Sequence, residues 1–353
     1  MPAFCLRVFE MTVQTTSVPS EPSRAETRSL WLCVSVLGLL VLSGLALKLG
    51  LRSIDLSHVW SAFTAFDVQS PDQIVIREIR LPRLAASVLA GVSLGMAGAL
   101  MQGMTRNPLA DPGLLGVNAG ASLGVVICIL VLGVTDPAAF IWIALGGGLV
   151  ASLLVFLLGG GNQANPARLI LAGAAVSALF LALSRSLLLI SQQTLDVYRF
   201  WVLGGFDGVD FDTIQALLPF FVVGVVIALF AAFALNALML GEDTARSLGV
   251  RVGFAQVLIG LAIVMLCGAT VSMAGPIAFV GLIVPHLARR VAGANMWWML
   301  LFSASFGAVL MTAADLLGRL PLFGGNMQAG VMSAMIGGPI LIWLVRRYGV
   351  TKL

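Results

Sequence analysis

Charged residues are scarce in this chain. Lys, Arg, Asp and Glu make up 10% of its 353 residues, against about a quarter in a typical soluble domain. Hydrophobic residues make up 59%, and the mean hydropathy is +1.03. A water-soluble core could not bury so much apolar surface. The composition therefore excludes an ordinary soluble enzyme and predicts a polytopic protein with one membrane domain.

The few charges also exclude two energy sources for transport. The only lysines are Lys48 and Lys352, and neither lies in a G-x-x-x-x-G-K-[ST] motif, so the chain has no P-loop for ATP. Among sixteen Asp and Glu residues, only Asp315 approaches the interior of an apolar run. Proton- or sodium-driven carriers usually keep an ionisable group near the midplane, which opposes a secondary carrier. A transporter with this sequence would take its energy from another subunit.

Metal, nucleic-acid and hydrolase sites lack their usual residues. The four cysteines have no C-x-x-C spacing, and the two histidines, His58 and His286, are far apart, so we expect no disulfide and no metal site. The net charge of +4 has no basic block or aromatic-spaced stripe, which argues against nucleic acid. An intramembrane hydrolase built on the G-x-S-x-G sequences at Ser93 or Ser122 would need a histidine at matching depth.

Ten apolar runs predict an all-α fold with about ten transmembrane helices. They cover residues 30–47, 81–104, 114–133, 139–158, 167–190, 214–235, 254–273, 276–288, 297–317 and 328–345. The eighth run is too short for a full crossing, so we expect a broken or re-entrant element there. Residues 1–29 are expected to form a disordered cytoplasmic tail, with Met11 an alternative start, and residues 30–353 the transmembrane domain.

A faint internal repeat relates Leu81–Gly116 to Leu258–Gly293. At an offset of 177 positions ten residues are identical, and among them Met96-Ala97-Gly98 matches Met273-Ala274-Gly275. Five predicted spans separate the copies, an odd number, so the second copy should cross the membrane in the opposite sense. Inverted repeats of this kind are typical of membrane transporters.

The segment 236–252 between the sixth and seventh spans predicts short helices joined at glycines. Glu242 and Asp243 suit a helix start, and Gly249 suits a helix stop. The basic residues favour a cytoplasmic position for this segment and for both termini, because twelve of twenty would lie on that side. An ordinary solvated loop is the alternative.

Three motifs resemble the signatures of the FecCD permease family. They are Arg80-Leu-Pro-Arg83; Arg106-Asn-Pro-Leu-Ala-Asp-Pro-Gly-Leu-Leu-Gly116, followed by Asn118-Ala-Gly-Ala121; and Gly275-Pro-Ile-Ala-Phe-Val-Gly-Leu-Ile-Val-Pro-His-Leu-Ala-Arg289. Members of this family are membrane subunits of bacterial ABC importers for ferric siderophores, haem and cobalamin. The resemblance extends from about Leu30 to the end of the chain. The segment Gly324–Gly330 departs from it, since the family often has a Glu-Leu-Pro sequence there.

The resemblance implies a function and a set of partners. It implies a permease in the bacterial inner membrane that moves a ferric siderophore by alternating access, with cobalamin or haem as the alternative cargo. The expected partners are a second permease subunit, identical or paralogous, two ABC ATPase subunits, a periplasmic or lipoprotein substrate-binding protein and the lipid bilayer. This chain would bind no cofactor, because ATP and Mg²⁺ belong to the ATPase, and it would contain no catalytic residue.

The resemblance also implies roles for three groups of residues. The ATPase-coupling loop would contain Glu242, Asp243, Ala245, Arg246 and Gly249. The binding protein would dock on Arg80, Arg83 and Arg319, although the first two could instead anchor a helix end at the membrane interface. A structural or gating motif would contain Asn107, Pro108, Gly116, Gly275, Pro276 and Pro285.

Overall fold

The computed structural model describes residues 24–134, 137–161, 166–321 and 327–348, and all regular structure in these ranges is helical. The α-helices are α1 Arg24–Lys48, α2 Leu56–Thr64, α3 Pro71–Ile74, α4 Leu81–Thr105, α5 Val117–Leu132, α6 Pro137–Leu158, α7 Pro166–Leu188, α8 Gln192–Trp201, α9 Phe211–Met239, α10 Glu242–Ser247, α11 Val252–Ala274, α12 Val280–Ala292, α13 Met296–Gly318 and α14 Ala329–Tyr348. A π-helical turn, Val75–Arg80, joins α3 to α4, and a 3-10 turn, Pro112–Leu115, precedes α5. The predicted all-α architecture is confirmed.

Seven helices in the described ranges are long and apolar enough to cross a membrane. They are α1, α4 with its α3 extension, α6, α7, α9, α11 and α13. The other predicted spans also contain helices, but α5 has 16 residues and α12 has 13, whereas a full crossing takes about 20. A helix thus lies in each predicted span, while the number of crossings stays a prediction.

Two predicted boundaries move in the structure. Residues 24–29, which the sequence assigned to the tail, belong to α1, and residues 1–23 lie outside the described ranges. Helix α9 continues to Met239, so the segment between α9 and α11 is shorter than residues 236–252. Residues 324–326 of the atypical segment Gly324–Gly330 also lie outside the described residues.

Helix α4 packs against α13 and α12 with backbone touching backbone. A Cβ atom on Gly91 would overlap the carbonyl oxygen of Gly307 in α13, and one on Gly98 would overlap that of Gly281 in α12. Such close approach needs residues without a side chain, as in other membrane helix pairs. Gly95 approaches the backbone of Ser303 in the same way, and Gly103 lies against the side chain of Met296. Their order shows that α4 and α13 run antiparallel.

Helices α4 and α11 also run antiparallel, as the predicted inverted repeat requires. Helix α4 runs parallel to α9. Near the start of α4, Arg83 pairs with Asp207, which precedes α9, and after the end of α4, Arg106 bonds to Leu238 near the end of α9. Helix α11 runs back along α9, since the Gly205 N–H, shortly before α9, donates to the Ala274 oxygen at 2.7 Å.

The repeat is not kept residue by residue. Gly116 and Gly293 both have positive φ, +77° and +71°, but Gly98 lies inside α4, whereas its counterpart Gly275 ends α11 with a φ of +73°. The two copies therefore run in opposite directions and share their end residues, and they break their helices at different points.

The segment between α4 and α5 turns back into the protein. The ring of Pro112 lies against Gly281, which in turn packs on Gly98, well inside α4. The Ser152 hydroxyl donates to the carbonyl of Leu115 at 3.0 Å, which fixes the end of the returning segment. Helix α5 starts from this internal point, which explains why it is short. The sequence predicted a broken element at the eighth span and missed this one.

Arginine side chains satisfy backbone carbonyls at the ends of three helices. These carbonyls have no partner within their own helix, and their partial negative charge favours a cation. The bonds run from Arg28 to Ala292 O at 2.7 Å, from Arg80 to Leu47 O at 2.6 Å and Lys48 O at 2.8 Å, and from Arg106 to Leu238 O at 2.6 Å. Each bond also joins two separate parts of the fold.

A leucine at Gly91 tests the backbone contact between α4 and α13. Gly91→Leu forces a side chain into the Gly307 carbonyl, and overpacking of this kind costs about 1–3 kcal/mol. Gly38→Leu is the matched control, because nothing lies within 4 Å of a Cβ there. We expect thermal unfolding of the purified protein to shift down for Gly91→Leu alone. Equal midpoints for the two variants would contradict the packing.

Candidate functional site

A buried carboxylate, Asp315, lies at one end of the helix bundle between two arginines. Its side chain is 1% exposed. The Arg83 Nε donates to Asp315 Oδ1 at 2.8 Å, and Arg319 Nη2 lies 3.1 Å from Oδ2. Helices α4 and α13 are thereby locked together beyond their glycine contacts. We call Arg83, Asp207, Asp315 and Arg319 the charge cluster.

Asp207 is the member of the charge cluster that solvent reaches. It forms an ion pair with Arg83, and its side chain is 52% exposed. With Asp207 the cluster contains two positive and two negative groups, so the burial of both guanidinium groups is compensated. Sequence analysis missed Asp207, because it lies in a loop between α8 and α9 with no motif around it.

Arg80 lies next to the charge cluster but has different partners. It donates to carbonyl oxygens at the end of α1 and to that of Arg52. Its side chain is buried, as are those of Arg83 and Arg319. The structure thus places the three predicted docking arginines together at one end of the bundle, but turned inward. Anchoring of a helix end, the alternative interpretation for Arg80, agrees with these bonds. The docking role stays a prediction.

Close backbone contacts at glycines fix the loop that carries Asp207. Gly204 has a φ of +68°, and a Cβ there would overlap the carbonyl oxygen of Pro276. The Gly330 N–H, at the start of α14, donates to the Gly204 oxygen at 2.8 Å. A Cβ on Gly275 would overlap the carbonyl oxygen of Trp201. The predicted motif residues Gly275 and Pro276 therefore hold the ends of α8, α11 and α14 together.

A cavity of about 410 Å³ opens beside this loop. It has aromatic walls and a polar rim, and its lining includes Phe140, Phe200, Trp201, Asp207, Asp210 and Gln328. The Thr213 N–H donates to Asp210 at 2.8 Å and holds the pKa of Asp210 below its usual range. The rim is therefore anionic at neutral pH. A second cavity of about 370 Å³, between α6 and α11, is almost wholly apolar, as expected of a surface facing lipid or another membrane subunit.

The remaining motif residues shape the backbone. The Asn107 Oδ1 accepts from the Leu109 N–H at 2.9 Å, and Pro108 lies in the same turn after α4. Gly116 connects the 3-10 turn to α5. These bonds and backbone angles shape turns, and the gating role of the three residues stays a prediction.

Pro285 lies inside α12 and has a partner that the sequence did not reveal. A proline has no N–H, so it leaves the carbonyl of Gly281, four residues earlier, without its helical bond. The side-chain amide of Gln102 in α4 fills this place, donating to Leu282 O at 3.0 Å and to Gly281 O at 3.4 Å. Gln102 is buried. No motif could identify it, because the partnership joins residues far apart in sequence.

Helix α10 lies at the other end of the bundle from the charge cluster, because it follows α9 where Leu238 meets Arg106. The 25 residues of α4, at about 1.5 Å each, separate the two ends by about 37 Å. The predicted short helix in this segment is confirmed, and Gly249 ends it with a φ of +82°. Coupling to an ATPase stays a prediction.

The surface of α10 differs from the one the motif implied. Ala245 is 0% exposed and packs in the core, so it holds α10 against the bundle and offers no contact to a partner. Asp243 is fully exposed, and its Oδ1 lies 4.0 Å from Nη1 of Arg246. Large apolar residues around the helix are exposed instead, namely Leu240, Leu248 and Phe254. The side chain of Glu242 lies outside the described residues.

Metal ligands do not converge in the described ranges, where no group of three His, Cys, Asp or Glu side chains could bind an ion. Methionine side chains contribute to the core instead: Met96, Met101, Met273 and Met332 are buried, whereas Met335 is exposed.

Comparison with known proteins identifies the family. The model of the FecCD transport family matches residues 38–347. The chain belongs to this family. The ferric enterobactin transport system permease protein of Escherichia coli (strain K12) is 43% identical over 92% of this chain and 97% of its own length. The vitamin B12 import system permease protein BtuC of Vibrio cholerae is 37% identical over 87% and 93%.

A solved structure shares the fold. An inward-facing metal-chelate type ABC transporter aligns with a TM-score of 0.79 and 29% identity, covering 90% of this chain and 99% of that one. This FecCD protein is therefore a permease subunit of an ABC transporter and not an enzyme.

Removing the buried carboxylate tests the charge cluster. Asp315→Asn leaves Arg83 and Arg319 buried without their shared counterion, and breaking such a pair costs about 3–5 kcal/mol. Asp207→Asn should cost about 1 kcal/mol or less, because its side chain is half exposed. Thermal unfolding of both variants would be compared with exposed Asp212→Asn as the control. Similar midpoints for all three would contradict the assignment.

Proposed function

We propose that this chain is the membrane-spanning subunit that moves a ferric siderophore into a bacterial cell, driven by ATP hydrolysis on a partner. The observation that carries the proposal is the 43% identity, over nearly the full length of both chains, to a permease named for ferric enterobactin. A siderophore supplies the ligands of its own iron, so the lack of converging metal ligands in the described residues is compatible with this cargo.

Haem or cobalamin is the alternative cargo. The relative named for vitamin B12 is 37% identical over 87% of this chain. The choice between the cargoes therefore rests on a modest difference in identity. Iron chelate is the better supported of the two.

The α10 end is proposed to face the cytoplasm, with both chain termini on that side of the inner membrane. The sequence alone favoured this orientation by twelve basic residues to eight. Three of those eight are Arg80, Arg83 and Arg319, and all three are buried inside the protein. They are not loop charges, so they do not count against this orientation.

An ABC ATPase is proposed to bind α10. The short helix is surrounded by exposed Leu240, Leu248 and Phe254, and buried Ala245 ties it to the bundle. An apolar patch with charged neighbours suits a protein partner in the cytoplasm better than it suits water. Movement of the ATPase would then be transmitted to α9 and α11, which α10 joins directly.

Two permease subunits, two ATPases and a substrate-binding protein would form the complete importer. Alternating access would open the path between the two permease subunits first to the binding protein and then to the cytoplasm. The binding protein would dock at the charge-cluster end. Docking on Arg83 itself would require its bond to Asp207 to open, since the guanidinium is otherwise surrounded by protein.

A charge on α10 tests the ATPase contact. Leu248→Glu puts a carboxylate into the proposed interface and should reduce co-purification of the ATPase subunit at least tenfold, the equivalent of about 1.4 kcal/mol. Leu51→Glu is the matched control, because Leu51 is 65% exposed and Leu248 63%, at opposite ends of the bundle. If both variants retain the ATPase equally, α10 is not the coupling element.

Uptake by cells tests the cargo. Cells that lack this gene would be offered radioactive iron on a panel of siderophores, haem, and labelled cobalamin. We expect uptake of a ferric siderophore to be lost and to return with the wild-type gene. Normal iron uptake together with lost haem or cobalamin uptake would replace the cargo and keep the transport mechanism.

A further inference from the structure

Helix α2 turns its apolar side away from the protein. Leu56, Trp60 and Phe63 are spaced four and three residues apart, so they form one stripe along the helix. They are 66%, 73% and 58% exposed. Three large apolar side chains in a row on a nine-residue helix are unusual for a loop that meets water.

The inner face of α2 packs on the bundle through both polar and apolar residues. The Ser61 hydroxyl accepts a hydrogen bond from the Gln73 amide at 3.0 Å, and the Gln73 carbonyl oxygen accepts one from the Asp67 N–H at 2.7 Å. Ala62 is buried beside these residues, and Val59 packs against the same apolar cluster. The bundle therefore holds α2 by one face and leaves the stripe of Leu56, Trp60 and Phe63 on the outside.

The height of α2 in the bundle is fixed by the residues on which it packs. Ala62 and Ile54 share an apolar cluster with Leu47 at the end of α1 and with Leu84 and Leu316 near the ends of α4 and α13. Helix α2 thus lies level with the ends of three long apolar helices. This is the height at which a bilayer changes from hydrocarbon to headgroups.

The surroundings of the stripe match that boundary. Only residues 49–55 separate α2 from α1, a helix apolar enough to span a membrane that leaves most of its surface exposed, Leu37, Leu40 and Val41 included. Arg52, in this connection, has a largely exposed side chain that pairs with Asp72. Tryptophan next to basic residues is typical of membrane interfaces, where the indole lies among headgroups and cations meet phosphates.

We infer that α2 is an interfacial helix that lies in the plane of the membrane surface and binds phospholipid through Leu56, Trp60 and Phe63. The short connection to α1, a helix apolar enough to span a membrane, favours lipid over a protein partner. Arg80 supports this arrangement from inside, because it bonds the carbonyl of Leu47 at the end of α1 and that of Arg52 within the α1–α2 connection. The inference does not depend on the cargo or on the orientation of the chain.

Spin labels on α2 test the inference in the full chain reconstituted into nanodiscs of phosphatidylethanolamine and phosphatidylglycerol. Cysteine would replace Trp60 in one variant and Ser57 in the other, with Cys5 and Cys33 changed to Ser in both. Both positions are exposed on the same helix, but Ser57 lies off the apolar stripe. Collision rates of each label with oxygen, which concentrates in lipid, and with a water-soluble nickel chelate would be measured.

We expect the ratio of oxygen to nickel collisions to be several-fold higher at position 60 than at position 57. Equal ratios would overturn the inference, because the stripe would then face water. A label at position 60 that collides with neither reagent would also overturn it, since a protein partner would then cover the stripe.

Discussion

Backbone carbonyls at helix ends must find hydrogen-bond donors, and in a membrane protein water supplies few of them. Arginines from distant parts of the chain supply these donors. Arg28 donates to a carbonyl at the end of α12, Arg80 to one at the end of α1, and Arg106 to one at the end of α9. Gln102 does the same for the carbonyl that Pro285 leaves open. Because each donor comes from another element, the bonds that satisfy helix ends also set how the helices are placed relative to one another.

This constraint explains why so many arginines point inward in a chain with few charges. A buried guanidinium is tolerated when carbonyls or carboxylates surround it, and the pairing of Asp315 with Arg83 and Arg319 is the most buried example. Glycine contacts let α4 approach α12 and α13 closely enough for these bonds to form. The central helices therefore behave as one unit, and α10 and α2 lie at its two ends as surfaces for partners and lipid.

Patterns that depend on local sequence were predicted well. Apolar runs placed the helices, Gly249 marked the end of α10, and the long motifs identified the family. Features that depend on contacts across the chain were not. Arg80, Arg83 and Arg319 are charged residues near helix ends, so their sequence suggested exposure, but carbonyls and carboxylates far away in the chain make burial possible. Asp207 and Gln102 were missed for the same reason, since their partners cannot be read from neighbouring residues.

We expect this subunit to form the translocation path and the partner ATPase to supply the energy. The most direct test uses proteoliposomes containing the permease and its ATPase, loaded with ATP and supplied from outside with the binding protein and a radioactive ferric siderophore. We predict uptake that stops when a non-hydrolysable ATP analogue replaces ATP and that a proton gradient does not restore. Uptake driven by a proton gradient in liposomes without the ATPase would contradict the account.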